Sequence, residues 1–472
     1  MRHPHFKPLR RSGAYLPDVC VQLRRRARIL AALALVLGLA CAARAETLIQ
    51  VFAQAQQYSP ALRSAQANYQ AALSRVPLAR SRQLPQLTAG ASLSENAQDN
   101  SENPLLQRFG FPTNWDYIAR DINLTATQSL YRPADGINVS QAEIGARIAY
   151  TQLAYQNQNL MVQVAAAYFS VLSAQDSLRS LREQHKAIRQ QLASARRNFA
   201  AGNGTIVDVR DAQARDDLTG AKVIAARNQV ALADSALQQL TGRVPGRLAG
   251  LTADIRLPDP GGDLQHWAQA AQGRNLVVEQ ARLAVEVARL EAKKAATGHL
   301  PTVDAYARLD HASTSGGSNL FPFGNRADIA SIGVQVQVPI FTGYGVQSHV
   351  QETAHLLDKA QADLDTARLA AAQDARAAYL GLESGRAQVK ALQTAVRSSQ
   401  SSLQANETGY KVGVRVNIDV LNALSQLFDM QRQADQARYD VLVSALRLKL
   451  AAGELDQQDL DTINALLQPA SP

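Results

Sequence analysis

Four stretches of the chain alternate strictly between apolar and polar residues. In the first, Leu87, Ala89, Ala91 and Leu93 oppose Gln86, Thr88, Gly90, Ser92 and Ser94. In the second, Ile122, Leu124, Ala126 and Leu130 oppose Asp121, Asn123, Thr125, Thr127 and Ser129. The third sets Val303, Ala305, Ala307 and Leu309 against Thr302, Asp304, Tyr306, Arg308 and Asp310. The fourth sets Ile332, Val334, Val336, Val338 and Ile340 against Ser331, Gln335 and Gln337. A period of two predicts strands with one apolar face, and each run has about the 9–11 residues that a tilted strand needs to cross a bilayer.

Between the strand pairs the period changes. No proline falls between Pro133 and Pro245 or between Pro339 and Pro469, and Ala, Gln, Leu and Arg dominate both stretches. Leu382, Val389, Val396, Leu403 and Tyr410 recur every seven residues, as do Val171, Leu178, His185, Leu192 and Phe199. This heptad spacing predicts left-handed coiled-coil seams, with His185 a polar seam residue that fixes register. A continuous helix over 142–199 would be about 85–90 Å long at 1.5 Å per residue.

The two heptad series are copies of each other. Residues 199–209 match 410–420, 121–130 match 331–340, and 84–86 match 300–302, at offsets near 210. Two structural halves follow, each running helix, strand, loop, strand, long helix, turn, helix. The predicted boundaries are a leader over 1–45, a helix over 46–85, a strand pair with its extracellular loop over 86–131, and long helices with the first turn over 134–241. An irregular link over 242–275 leads to the second half: a helix over 276–300, strands over 302–341, long helices with the second turn over 346–452, and a polar tail over 453–472. The link is rich in Gly and Pro, and link and tail together would form a belt around the helices.

Four strands cannot close a barrel, and open edges are forbidden in lipid, so several copies must share one. Residues 95–119 and 312–329 are expected to be polar outer loops, with Phe109, Phe111, Trp115, Tyr117, Phe321 and Phe323 as an interfacial girdle. No run of about 18 apolar residues follows residue 45, which excludes a helical inner-membrane transporter.

Charge and cysteine change the picture only at the start of the chain. The net charge is +9, but residues 1–45 hold nine of the 49 basic residues and one of the 40 acids; the remainder carries 40 basic and 39 acidic residues. A nearly neutral body gives no support to nucleic-acid binding. Arg24–Arg28, the apolar run Ile29–Leu39 and Ala43-Arg44-Ala45 read as a signal peptide cleaved after Ala45. Both cysteines, Cys20 and Cys41, fall inside it, so the exported chain has no disulfide. The remaining histidines make no HExxH or other metal-ligand spacing, and no phosphate loop or GxSxG occurs, so neither catalysis nor a cofactor or metal is expected. The rival reading is a periplasmic coiled-coil adaptor or structural protein, which explains the helices but not the four strands.

The ordered set Leu84-Pro85-Gln86-Leu87, Ala167-Tyr168-Phe169, Val207-Asp208-Val209, Gly409-Tyr410-Lys411-Val412-Gly413 and Ala437-Arg438-Tyr439 resembles the TolC family of outer-membrane channels. The resemblance spans Glu46 to Leu460. It implies an α+β fold: a trimeric, twelve-stranded outer-membrane β-barrel, four strands per chain, continued by a long α-helical coiled-coil barrel across the periplasm. It also implies a homotrimer embedded in outer-membrane lipid, working with a periplasmic adaptor and an inner-membrane ABC or proton-driven pump, in type I protein secretion or small-molecule efflux.

Gly202 and Gly413 suit left-handed C-caps at the two turns. Mapped onto the family's periplasmic gate, Tyr410 and Arg415 tie the inner helix pair to the outer one with Asp208 as acceptor, and Asp419 forms an acidic pore ring. Asp208 also ends a capping-box pattern that begins at Thr205. Val207 stands where the family's best match has a threonine, and Asn422 where it has a second ring aspartate, which halves the charge of the ring.

Overall fold

The structure is a computed structural model that describes residues 45–99, 105, 108–109, 114–252, 255, 257–318, 321–322 and 324–468. The leader as far as residue 44, Phe111 and Phe323 lie outside the described residues. The chain begins with α1 (Leu48–Tyr58) and α2 (Pro60–Ser81), then β1 (Gln86–Asp99) and β2 (Asn114–Tyr131). Two long helices, α3 (Pro133–Ala200) and α4 (Ile206–Thr241), complete the first half. After β3 (Gly250–Leu251) and α5 (Leu264–Arg274), the second half repeats the order with α6 (Leu276–Ala296), β4 (Thr302–Ser318), β5 (Phe321–Pro322) and β6 (Asn325–Gln337). It ends with α7 (Gly345–Lys411), α8 (Asn417–Ala452), α9 (Gln457–Asn464) and β7 (Leu467–Gln468).

The four long strands form one antiparallel sheet in the order β1-β2-β4-β6. Register brings the predicted apolar sides together: Leu87 faces Ala126, Ala126 faces Ala307, and Ala307 faces Ile332. That face is exposed, with Ile332 at 87 % and Leu87, Leu93, Ile122, Val334 and Val336 all open. The opposite face carries ion pairs, Arg132 with Asp304 at 2.7 Å and Arg308 with Asp310 at 2.6 Å.

The strands are longer than the apolar alternation, at 14, 18, 17 and 13 residues. They run on through the polar segments expected to be loops, because a ladder of main-chain hydrogen bonds does not require an apolar face. Tyr117 pairs with Gly316 in the register of Asp121 and Asn123, so it stands on the polar face and not in a lipid-facing girdle. Phe109 of the expected girdle is exposed, the side chains of Trp115 and Phe321 lie outside the described residues, and at the helical end of the sheet exposed Phe341 packs edge-on against Tyr344 at 5.6 Å.

Helix α3 has 68 residues and α7 has 67, each about 100 Å long at 1.5 Å per residue. Helix α3 starts earlier than its periodicity suggests, because Pro133 occupies its first turn, where the missing N–H costs nothing. The α7 seam is closed at Leu382 and Val389 and half-open by Val396, Leu403 and Tyr410, so packing thins toward the turns.

The largest core lies midway along the helices, where Phe52, Tyr168, Phe169, Leu237, Leu442 and Leu460 pack together. Tyr168 donates to the carbonyls of Glu46 (3.0 Å) and Ala249 (2.8 Å), tying the start of the chain to the link. The expected single helix over 46–85 is broken, because Ser59 caps a new helix that begins at Pro60. The link expected to be irregular contains α5, capped by Asp263, which places Trp267 in a second core with Leu382 and Val441. The tail pairs β7 with β3 beside these cores.

Candidate functional site at the two helix turns

Opposite the sheet, α3 turns into α4 and α7 into α8. Both turns close in the same way. Asn203 N donates to Asn198 O (2.9 Å) and Val414 N to Gly409 O (2.9 Å), each beside a glycine of positive φ, Gly202 at 78° and Gly413 at 81°. Six-residue closures of this kind need a left-handed residue, which glycine adopts without strain.

The two helices that leave these turns start differently. Thr205 caps α4 through a reciprocal box: its Oγ1 accepts from Asp208 N (3.1 Å), while Asp208 Oδ2 accepts from Thr205 N (3.1 Å) and Thr205 Oγ1 (2.7 Å). In the second copy Val416 occupies the cap and has no side-chain bond to give. The Asp419 carboxylate therefore takes no part in a cap and pairs with Arg415 Nη1 at 3.7 Å.

Among the described residues of one chain, no bond joins Tyr410 or Arg415 to Asp208. Its carboxylate serves the cap, and Tyr410 Oη instead accepts from Asn198 Nδ2 at 3.1 Å. Arg415 folds over the last turn of α7, where a Cβ on Gly409 would stand 2.7 Å from its Cγ. Asn422, expected beside Asp419 in the ring, accepts from Arg215 Nη2 of α4 at 2.8 Å.

Asn417 was not anticipated, yet it is the best-buried polar residue here, with no exposed surface. Its Nδ2 donates to the main-chain oxygen of Asp208 (3.2 Å), and its Oδ1 accepts from Gln191 Nε2 (2.6 Å). One side chain thus joins α8 to both α3 and α4. Below it Ile188, Leu192, Ala212, Leu421 and Leu424 form a small core. A sequence signal was present, because the repeat partner of Asn417 is the apolar Ile206. Farther up, His185 Nε2 lies 2.9 Å from Asp216, so the polar seam residue has a carboxylate partner on α4.

Nearer the middle of the helices, Tyr439 donates to Asp176 at 2.6 Å, and Asp435 lies close by. Burial raises the carboxyl pKa of Asp435, Asp176 adds to the rise, and Arg438 and Arg179 partly offset it. A raised acid pKa means that the folded state holds its proton more tightly. The penalty is therefore complete above the raised value and disappears as pH falls toward the ordinary 3.8. Asp435→Asn should raise the thermal stability of the purified protein near neutral pH, with the gain shrinking at about pH 4. A gain that is constant with pH in thermal melts would assign the effect to packing.

Among the described residues no cluster of His, Cys, Asp and Glu fits a metal ion, and no helix is long and apolar enough to cross a membrane. The chain matches the family model described as "Outer membrane efflux protein" over residues 51–243 and 267–454. It is 32 % identical over 433 residues to Outer membrane protein TolC of Vibrio cholerae, covering 92 % of this chain and 96 % of that protein. It is 29 % identical over 393 residues to the alkaline protease secretion protein AprF of Pseudomonas aeruginosa, covering 82 % and 80 %. The fold superposes on the Campylobacter jejuni CmeC outer membrane channel with a TM-score of 0.74 at 16 % identity, covering 89 % of each chain.

Proposed function

The chain belongs to the outer membrane efflux protein family, and from that membership we propose that it is the outer-membrane exit duct of a tripartite export system. It is a passive channel and not an enzyme, of the class that serves type I protein secretion and small-molecule efflux. A periplasmic adaptor and an inner-membrane pump supply the partners and the energy. The observation that carries this reading is a sheet with one exposed apolar face, set at the end of helices about 100 Å long. A periplasmic adaptor has no use for such a face.

The finer features are part of the same proposal. Strands β1 and β6 have no partner on their outer sides within the described chain, and lipid does not tolerate open edges. Three copies joined edge to edge give a twelve-stranded barrel, with the helices forming a tube through the periplasm. The leader is removed after Ala45, where Ala43-Arg44-Ala45 supplies the small-x-small cleavage pattern. The two helix turns form the gate, in which Tyr410 and Arg415 steady the α7–α8 pair, while Asp419 from each copy lines the narrowest point.

Single-channel conductance in a planar bilayer tests the reading. The wild type should conduct weakly, and Tyr410→Phe/Arg415→Ser should conduct severalfold more, because it loses the Asn198 bond and the charge facing Asp419. Free conduction by the wild type, matched by the variant, would remove the gate from these turns. No conductance in either would end the channel reading.

A further inference from the structure

The exposed face of the sheet changes character at one level. Moving away from the helices, its in-register rows begin with Val303 and Val336, continue through Ala307 and Ile332, and reach Leu124, Leu309 and Ala330. The next row contains Ile122, His311 and Asp328. The row after that reads Leu93, Arg120, Ser313 and Arg326 across the four strands. Two guanidinium groups thus flank a serine on adjacent strands, on the same face as Leu309 and Ile332.

The depth of this row is set by geometry. Arg326 lies ten residues along β6 from Val336. At about 3.4 Å per residue and a tilt near 45°, that is roughly 24 Å of height, close to the ~25 Å of a barrel's apolar band. A row at the foot of the band puts Arg120 and Arg326 at the level of the outer headgroups. Their strands are separated by one other, so their backbones stand about 10 Å apart, a gap that two arginine side chains can close around one phosphate.

The neighbouring charges leave this role open. Asp328, one row nearer the membrane centre, bonds His311 and lies 3.7 Å from Arg326 Nε. Glu95 lies one row farther out on β1, opposite Ile118. Arg120 is exposed and has no ion-pair partner among the described residues, and the Arg326 side chain is 73 % exposed.

We propose that Arg120, Ser313 and Arg326 form a binding site for a phosphate on the glycolipid headgroup of the outer leaflet. The inference rests on the outer-membrane reading and names the lipid contact within it. The two arginines would grip the phosphate oxygens from either side, and the Ser313 hydroxyl would donate between them. The site lies on a lipid-facing wall at headgroup depth, which favours a phosphate carried by lipid over a free ion.

Native mass spectrometry of the purified full-length protein, mixed with diphosphoryl lipid A or the same lipid stripped of phosphate, provides the test. The wild type should retain the phosphorylated lipid, and Arg120→Gln/Arg326→Gln should retain it on the order of thirtyfold less, since each arginine near an anionic surface contributes about a factor of five. Arg120→Lys/Arg326→Lys keeps the charge but loses the fork and should fall between wild type and the Gln variant, which separates charge from fold. Equal retention by wild type and the Gln variant, or of both lipids, would overturn the site. Retention of inorganic phosphate alone to the same extent would overturn the lipid source. A protein that forms a heat-resistant barrel but holds neither lipid refutes this inference alone, whereas one that forms no barrel refutes the exit duct with it.

Discussion

Ile332→Lys should nearly abolish the membrane-inserted assembly, and Ser331→Lys, one residue away, should leave it intact. Ile332 lies in the middle of the apolar face, in row with Ala307, Ala126 and Leu87, and 87 % of it is exposed. A lysine facing lipid at mid-depth costs about 2–4 kcal/mol per copy, hence roughly 6–12 kcal/mol for the proposed barrel of three. Ser331 pairs with Arg308 on the opposite face, which already carries the Arg308–Asp310 and Arg132–Asp304 pairs. A lysine there joins the polar face that the proposed barrel turns to its lumen, and should shift ion selectivity without disturbing insertion. The heat-resistant band on a denaturing gel and the yield in the outer-membrane fraction measure both effects. If the two variants exchange behaviour, the faces of the sheet are reversed; if both are tolerated, the sheet does not face lipid.

Much of this architecture was legible because its forces act over short, periodic stretches. Alternation at Leu87–Leu93 and Ile332–Val336 identified the strands, and the register of the sheet assembles those residues on one face. Periodicity could not say where a strand stops once both faces are wet, so Glu95–Asp99 read as loop although its main chain continues the ladder. The helix at Leu264–Arg274 was hidden by the glycines and prolines before it, yet Asp263 is an ordinary N-cap that marks its start. The turn glycines were plain, because a left-handed backbone leaves little choice of residue.

The partners at the turns were less legible. Asp208 had two suitors, a local cap three residues away and distant groups on another helix. Within the chain the local bond prevails, since Thr205 and Asp208 are brought together by the helix itself at almost no additional entropic cost. Asp419 lacks that partner because Val416 stands at its cap, and it is left to face Arg415. The two aspartates look equivalent in the repeat and differ because of the residue three places before each. Asn417 escaped notice for a related reason: its significance lies in breaking the repeat, where a search for repeats sees only agreement.

Asn417→Leu should therefore open the channel more than the loss of any exposed bond at the turns. Leucine restores the apolar character of Ile206 in the first copy but strands two half-buried groups, Gln191 Nε2 and the main-chain oxygen of Asp208. Leaving a fully buried polar group unpaired costs about 1–3 kcal/mol, so two half-buried ones cost about 1 kcal/mol each. That cost falls only on the state in which α8 is docked against α3 and α4, because water satisfies both groups once the helices part. The closed state is weakened and the open state is not, so the equilibrium moves toward opening in every copy. Arg215→Ala makes the matched comparison: it removes the bond to Asn422, but that bond is solvent-exposed and worth about 0–1 kcal/mol. In planar bilayers Asn417→Leu should raise conductance severalfold while Arg215→Ala changes it little. Thermal melting of the assembly should hardly move for either, because the main core around Tyr168 and Leu442 lies far up the helices. A silent Asn417→Leu beside a wide-open Arg215→Ala would transfer the latch from the buried amide to the charged rim, and the thinning of the seam toward the turns would then be what leaves the gate to electrostatics.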